Sequence, residues 1–280
     1  MKSYAVEAFV LRRRPLGEAD RIITLFSRER GKISAVAKGV RKAHSRFGAR
    51  LDFFTRAQLS LHMGRTLDVI TAVQSVKSIW DRLVDPDTFA IASYTAEIVD
   101  ALCEPDLAVP ELYELLCELQ TALADPTLNR DLLLAVADLR ILNALGVAPE
   151  LDGCARCGSP LGSRPLRAGR ATLSPQAGGL LCSACLQQIR AAADGVEARG
   201  LLALSARDFS ALRAARAQRL TTIARRGDGD APSRSDARVY EATHAFVEHQ
   251  LGRRSKSLSI VAAGERLEQS SRRRAAAPKA

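Results

Sequence analysis

Four cysteines stand in two pairs of identical spacing, Cys154-Ala-Arg-Cys157 and Cys182-Ser-Ala-Cys185, with 24 residues between the pairs. A two-residue spacer lets one backbone knuckle turn both thiolates toward one ion. The Gly after Cys157 permits the tight turn that closes the knuckle. Four thiolates satisfy tetrahedral Zn²⁺ and leave no position for an activated water. The expected cofactor is therefore one structural Zn²⁺ held by Cys154, Cys157, Cys182 and Cys185. A pair of redox-active dithiols is the other chemistry open to such residues. The spacing does not separate a folding staple from a ribbon that grips DNA. The staple is preferred, although Arg156, Arg164, Arg167 and Arg170 keep the ribbon open. Cys103 and Cys117 sit alone in helical patterns and read as ordinary buried thiols.

A second group of residues could bind rather than react. Lys38-Gly39-Val40-Arg41-Lys42 leads into Arg46 and Phe47, and Arg12, Arg13 and Arg14 form a further cluster at the end of the first strand pattern. Residues 1–80 carry 16 Lys/Arg against 6 Asp/Glu, a balance of +10. Residues 81–150 carry 3 against 14, and residues 151–280 carry 22 against 11. Basic terminal portions thus flank an acidic middle, which suits an anionic partner. Nucleic acid is the expected one, because a basic surface gains affinity for it by counterion release. The candidate phosphate contacts are Arg12, Arg13, Arg14, Arg21, Lys38, Arg41, Lys42 and Arg46. Arg21 could instead pair with Glu18 or Asp20. Gly39 and Gly48 would let backbone approach phosphates. Tyr4, Phe47, Phe53 and Phe54 could stack on bases, but packing is the preferred reading for each Phe.

Residues 4–11, 22–27, 32–38, 51–62 and 67–76 have strand patterns, with Gly31-Lys32 as a hairpin turn. Five short strands in about 80 residues suit a small Greek-key barrel of OB type, and an SH3-like barrel fits nearly as well. From Trp80 onward the period lengthens. Asp87 precedes a helical run through Leu102, which Pro105 and Pro110 break. A second run follows from Leu112 to Leu123, and a third from Leu132 to Leu142 ends at Gly146. Ser205, with Asp208 three residues on, caps a later helix. A long helix over 236–251 stops at Gly252, and residues 225–235 read as a flexible loop. The expected fold class is α+β and multidomain. An OB-fold over 1–80 is followed by a mostly α-helical domain over 81–259, with an inserted zinc region at 151–188. Residues 260–280 read as a disordered basic tail.

Several function classes lose support. No phosphate-binding Gly-rich motif, dinucleotide fingerprint or H-E-x-x-H stretch occurs, and the histidines at 44, 62, 244 and 249 are scattered. The chain reads as a non-enzyme. No apolar run approaches the ~20 residues of a spanning helix, and the N-terminal pattern ends in three arginines rather than a cleavage site. A cytoplasmic protein, nucleoid-associated when bound to DNA and without a membrane partner, is expected.

The sequence also resembles a family. Glu7-Ala-Phe-Val-Leu-Arg12, Gly17-Glu-Ala-Asp-Arg-Ile-Ile-Thr-Leu-Phe26 and the stretch from Glu29 to Lys42, followed by Ser45-Arg-Phe47, are similar to the N-terminal domain of RecO, the bacterial recombination mediator. Leu142-Asn-Ala-Leu-Gly146 resembles the family's helix before its zinc region, and the cysteine pairs with the Ser174-Pro-Gln-Ala-Gly-Gly179 stretch between them resemble that region. His249-Gln-Leu-Gly252 and Lys256-Ser257 resemble its C-terminal part. The resemblance implies binding of single- and double-stranded DNA and annealing of complementary strands. It further implies work with RecR and with single-stranded-DNA-binding protein to help load RecA onto gapped DNA. Some members lack a full cysteine set, whereas all four are present here. The alternative is an adaptor whose helical domain binds the acidic tail of single-stranded-DNA-binding protein, with Arg253, Arg254 and Lys256 as contributors and DNA contact secondary.

Overall fold

Alternation builds the first strands. Gly31, Ile33, Ala35 and Ala37 are buried while the residues between them are exposed or half-buried, so this stretch has one core face and one outer face. The computed structural model describes residues 2–42, 45, 47–79, 81–125, 127–161, 170–192, 198, 200–222 and 234–257. The N-terminal strands are β1 (Ser3–Leu16), β2 (Asp20–Ser27), β3 (Gly31–Ala37), β4 (Arg56–His62) and β5 (Asp68–Lys77). They close into a barrel in the order β1-β2-β3-β5-β4, with β4 pairing back onto β1. The β3–β5 pair is parallel and the others are antiparallel. This is the order of an OB barrel, which settles the choice against the SH3-like alternative. One core of thirteen buried residues, Val6 to Ile70, fills it.

Two sequence expectations shift here and a third gains a constraint. The first strand runs on to Leu16, so Arg12, Arg13 and Arg14 lie within β1 and pair with Thr24, Ile23 and Ile22. Only Arg56–His62 of the 51–62 pattern is strand. A 3-10 turn occupies Gly48–Leu51, and Phe54 takes a positive φ of 58°, which breaks any extended run. Gly31 does enter its turn at φ 61°, but a second constraint acts there: a Cβ would lie 1.8 Å from the Leu107 carbonyl oxygen.

Helices follow as α1 (Pro86–Leu102), α2 (Pro110–Ala122) and α3 (Arg130–Ala144). Asp85, not Asp87, caps α1, its carboxylate accepting from the Thr88 amide at 2.9 Å. Pro110 opens α2 instead of ending a helix, a position where its missing N–H is harmless. The chain divides into two compact units, residues 1–116 with the segment after Arg253, and residues 117–253. The second unit contains α3, then β6 (Arg170–Ser174), β7 (Gly179–Leu180), α4 (Ser183–Ala191), β8 (Leu202–Ser205), α5 (Ala206–Ala217) and α6 (Arg234–Leu251). A three-stranded sheet in the order β7-β6-β8 therefore interrupts the helices. Ser205 and Asp208 form the expected capping box on α5. The helix α6 starts at Arg234, inside the stretch read as loop; residues 225–233 and the tail from 260 lie outside the described residues. No helix among the described residues is long and apolar enough to cross a membrane.

Candidate nucleic-acid interface and metal centre

The register of the barrel gathers the cations at one end. Arg14 pairs with Ile22, Pro15 with Arg21, and Arg21 with Ala37, which Lys38 follows. The ends of β1 and β3 and the start of β2 thus meet. The Lys38–Lys42 loop is tied to the β1–β2 turn by three hydrogen bonds. The Gly39 amide donates to Asp20 Oδ1 at 2.7 Å. The Arg41 amide donates to the Ala19 carbonyl at 3.0 Å. Arg41 Nη1 donates to the Gly17 carbonyl at 3.1 Å. Gly39 is needed for its φ of 66°, a conformation that other residues adopt at a cost. The backbone of the loop is therefore held in place, while the Lys38, Arg41 and Lys42 side chains stay exposed.

The predicted contacts then divide. Arg12 pairs with Asp100 at 2.8 Å, and Arg13 pairs with Asp52. Arg14, Lys38 and Lys42 are exposed and have no ion pair among the described residues, and half-buried Arg21 has none either. Asp20, the partner suspected for Arg21, spends its carboxylate on Gly39 instead. Arg41 bonds a neutral carbonyl, so its charge stays unneutralised. Arg46 lies outside the described residues. Beside the loop a groove of about 390 Å³ runs between Lys38, Lys42, Phe47 and the start of β5 at Val69, Ile70 and Thr71. Nothing in the local pattern of residues 69–71 marks this groove, which they reach through the parallel β3–β5 pairing.

The aromatic candidates mostly pack. Phe54 is fully buried against Phe9, and Phe53 contacts both Phe54 and Phe89. Tyr4 donates to Asp68 while the Arg30 guanidinium sits 4.4 Å above its ring. Phe47 packs on the barrel core and also borders the groove, so it alone of the four combines both positions.

In the second unit, the cysteines come together from two elements. Cys154 and Cys157 sit on a turn before β6, closed by a bond from the Gly158 amide to the Cys154 carbonyl at 2.8 Å and by Gly158 at φ 71°. Cys182 caps α4, its sulfur accepting from the Cys185 amide at 3.4 Å. The four sulfurs lie within 4.8 Å of one another, and Cys157 and Cys182 are 3.8 Å apart. A tetrahedron with bonds of about 2.3 Å has edges of about 3.8 Å, whereas a disulfide needs about 2.05 Å. The donor set thus fits a tetrahedral ion and is not disulfide-bonded.

Local hydrogen bonding favours the thiolate at two of the sulfurs, Cys157 and Cys154. The Ser159 hydroxyl, then its backbone, holds the Cys157 thiol down at about 6. Burial alone would raise Cys154, but the amides of Cys182, Cys157 and Arg156 outweigh it and bring the thiol below its ordinary value. The shared hydrogen bond with Cys182, helped by burial, pushes Cys185 up to about 12. Neighbouring thiols cannot all ionise unless a cation joins them. Of the other two, Cys103 is buried, and burial pushes it up to about 11; Cys117 is only half-buried.

A closed barrel of this strand order defines a protein with an OB-type domain, here carrying a cluster of cations at one end. The family comparison then fixes the assignment. Residues 1–79 match the family described as Recombination protein O N terminal, and residues 83–259 match Recombination protein O C terminal. The chain belongs to the Recombination protein O family, whose general role is that of a recombination mediator in DNA repair.

Proposed function

We propose that the protein binds single- and double-stranded DNA through the cationic end of its barrel and anneals complementary strands. Lys38 and Lys42, with Arg14, Arg21 and Arg41 beside them, hold phosphates and lower the repulsion between two strands, so that pairing can nucleate. No covalent step is required. In the cell the protein then acts with RecR and single-stranded-DNA-binding protein to help load RecA onto gapped DNA. One Zn²⁺ on Cys154, Cys157, Cys182 and Cys185 fastens the second unit. The observation that carries this reading is the pinned Lys38–Lys42 loop, whose charges no described carboxylate neutralises. Arg12 and Arg13 are secondary contacts, because each must give up a carboxylate first.

The test is fluorescence anisotropy of a labelled single strand across salt, comparing the intact protein with K38E/R41E/K42E. Each lost phosphate contact flattens the log–log salt slope by about 0.7 for a single strand. Because Arg41 also anchors the loop, K38E/K42E serves as the variant that leaves the anchor intact. Parental affinity and slope in both folded variants would sink the assignment. Weak, salt-insensitive binding by the parent would move the function to the adaptor reading.

A further inference from the structure

The cysteine module presents a second cationic surface. Between Cys154 and Ala193 the chain has five arginines, at 156, 164, 167, 170 and 190, and no Asp or Glu. A Zn²⁺ with four thiolates carries only two negative charges, so the stretch from Cys154 to Ala193 stays positive with its ion bound.

The fold puts two of these arginines on one groove. In β6 the side chains of Ala171 and Leu173 are buried, so Arg170 and Thr172 face outward. In α4, Cys185 and Ile189 face the core. Ser183, Gln187 and Arg190 follow helical spacing on the exposed stripe, with half-buried Leu186 at its edge packed on the core. The two outer faces border a groove of about 380 Å³ lined by Arg170, Thr172, Ser183, Leu186, Gln187 and Arg190, among others. Both arginines are exposed, and no carboxylate among the described residues pairs with either. Among the described residues, no acid and no aromatic ring lines the groove.

We propose that this groove is a second phosphate-binding site, taking the sugar–phosphate backbone of a nucleic-acid strand. The inference rests on the DNA-binding reading above. Guanidinium, hydroxyl and amide groups are the usual partners of phosphate oxygens. A lining without rings offers nothing for bases to stack on, so contact is independent of sequence. Absence of a carboxylate disfavours a cationic ligand. With one site on the barrel and one on the cysteine module, a single molecule holds two strands at once, which is what annealing requires.

The test uses the intact, zinc-replete protein, with R170E/R190E, R170Q/R190Q and K38E/K42E as variants. Strand stoichiometry is read by native mass spectrometry with a short single strand, and annealing by energy transfer between two labelled complementary strands. The parent is expected to take two strands. Both groove variants are expected to keep zinc and the parental melting transition, take one strand, and anneal about tenfold more slowly or worse, with a salt slope lower by about 0.7 per lost contact. Parental stoichiometry and annealing in zinc-replete groove variants overturn the site, even when K38E/K42E has lost binding and the barrel reading stands. A parent that takes only one strand also overturns it. The reverse pattern, with groove variants impaired and K38E/K42E unaffected, keeps the groove and removes the barrel assignment. Groove variants that keep two strands and parental annealing but no longer bind a labelled acidic peptide that the parent binds overturn it in favour of a protein partner.

Discussion

In the barrel, thirteen buried apolar residues from all five strands and the turn at Leu51 form one core. In the cysteine module the buried cluster is Cys154, Leu181, Cys185 and Ile189, and half of it consists of candidate metal ligands. At about 25 cal/mol per Å² of apolar area, a cluster of that size contributes little against the entropy of ordering its loops. The difference separates two ways of presenting positive charge. The barrel can afford cations at one end because its stability lies in its interior. The module carries its arginines on a frame built around four sulfurs placed close enough to share one ion.

Metal removal should divide the regions most sharply. Stripping the ion with a strong chelator, or substituting C154S/C182S, should lower hydrogen-exchange protection of amides in 150–192 by on the order of 100-fold or more. A structural Zn²⁺ supplies several kcal/mol or more to the fold that binds it. Barrel amides in β1–β4 should keep their protection. Equal loss in both regions would end the comparison, and full protection of the metal-free module would remove the staple.

The barrel has its own weak point, which is steric. Gly31→Ala places a Cβ 1.8 Å from the Leu107 carbonyl oxygen at a backbone φ of 61°. The clash is with backbone, so no side chain can swing aside. A loss of about 2–4 kcal/mol in denaturant unfolding is expected, the sum of left-handed strain and displaced chain. Metal content should not change. By contrast, Gly17→Ala at φ 58° meets nothing within 4 Å and should cost only about 1 kcal/mol, the conformational part alone.

How much of this was legible in the sequence depends on how local the cause is. The alternation in β3, the Gly31 turn, the capping box of Ser205 and Asp208 and the paired cysteines are each decided within a few residues, and each can be read from the chain. The sheet of β6, β7 and β8 escaped because strands of five, two and four residues are too short to show a period. Phe53 and Phe54 extended an apolar pattern that suggested strand, while the positive φ of Phe54 turns the chain there. Nor could charge alone sort the arginines. Arg12 and Arg13 are neutralised by Asp100 and Asp52, partners 88 and 39 residues away, whereas the acid nearest Arg21 serves Gly39. The cationic end of the barrel is thus a result of tertiary pairing, and composition could only delimit its candidates.

The smallest expected effect concerns the frame beside the module. Asp208 accepts from the Ser205 amide at 3.1 Å and hydroxyl at 2.7 Å, and from the Ser235 hydroxyl at 2.7 Å, so one carboxylate joins the starts of α5 and α6. Burial acts to raise its pKa, but the hydroxyls of Ser235 and Ser205 outweigh burial and hold it below the ordinary value. Asp208→Ala should cost about 1 kcal/mol, as for loss of a helix cap. A carboxylate whose folded pKa lies below its unfolded one stabilises in full above the unfolded value, about 3.9, and loses that contribution as pH falls through the folded value. The difference in melting temperature between parent and variant should therefore be constant from about pH 7 to 5 and shrink below about pH 4. A difference that grows with acidification would show that the hydroxyls do not favour the ionised carboxylate. One that appears equally in the metal-free protein places Asp208 in the helical frame, outside the part of the unit that depends on the ion.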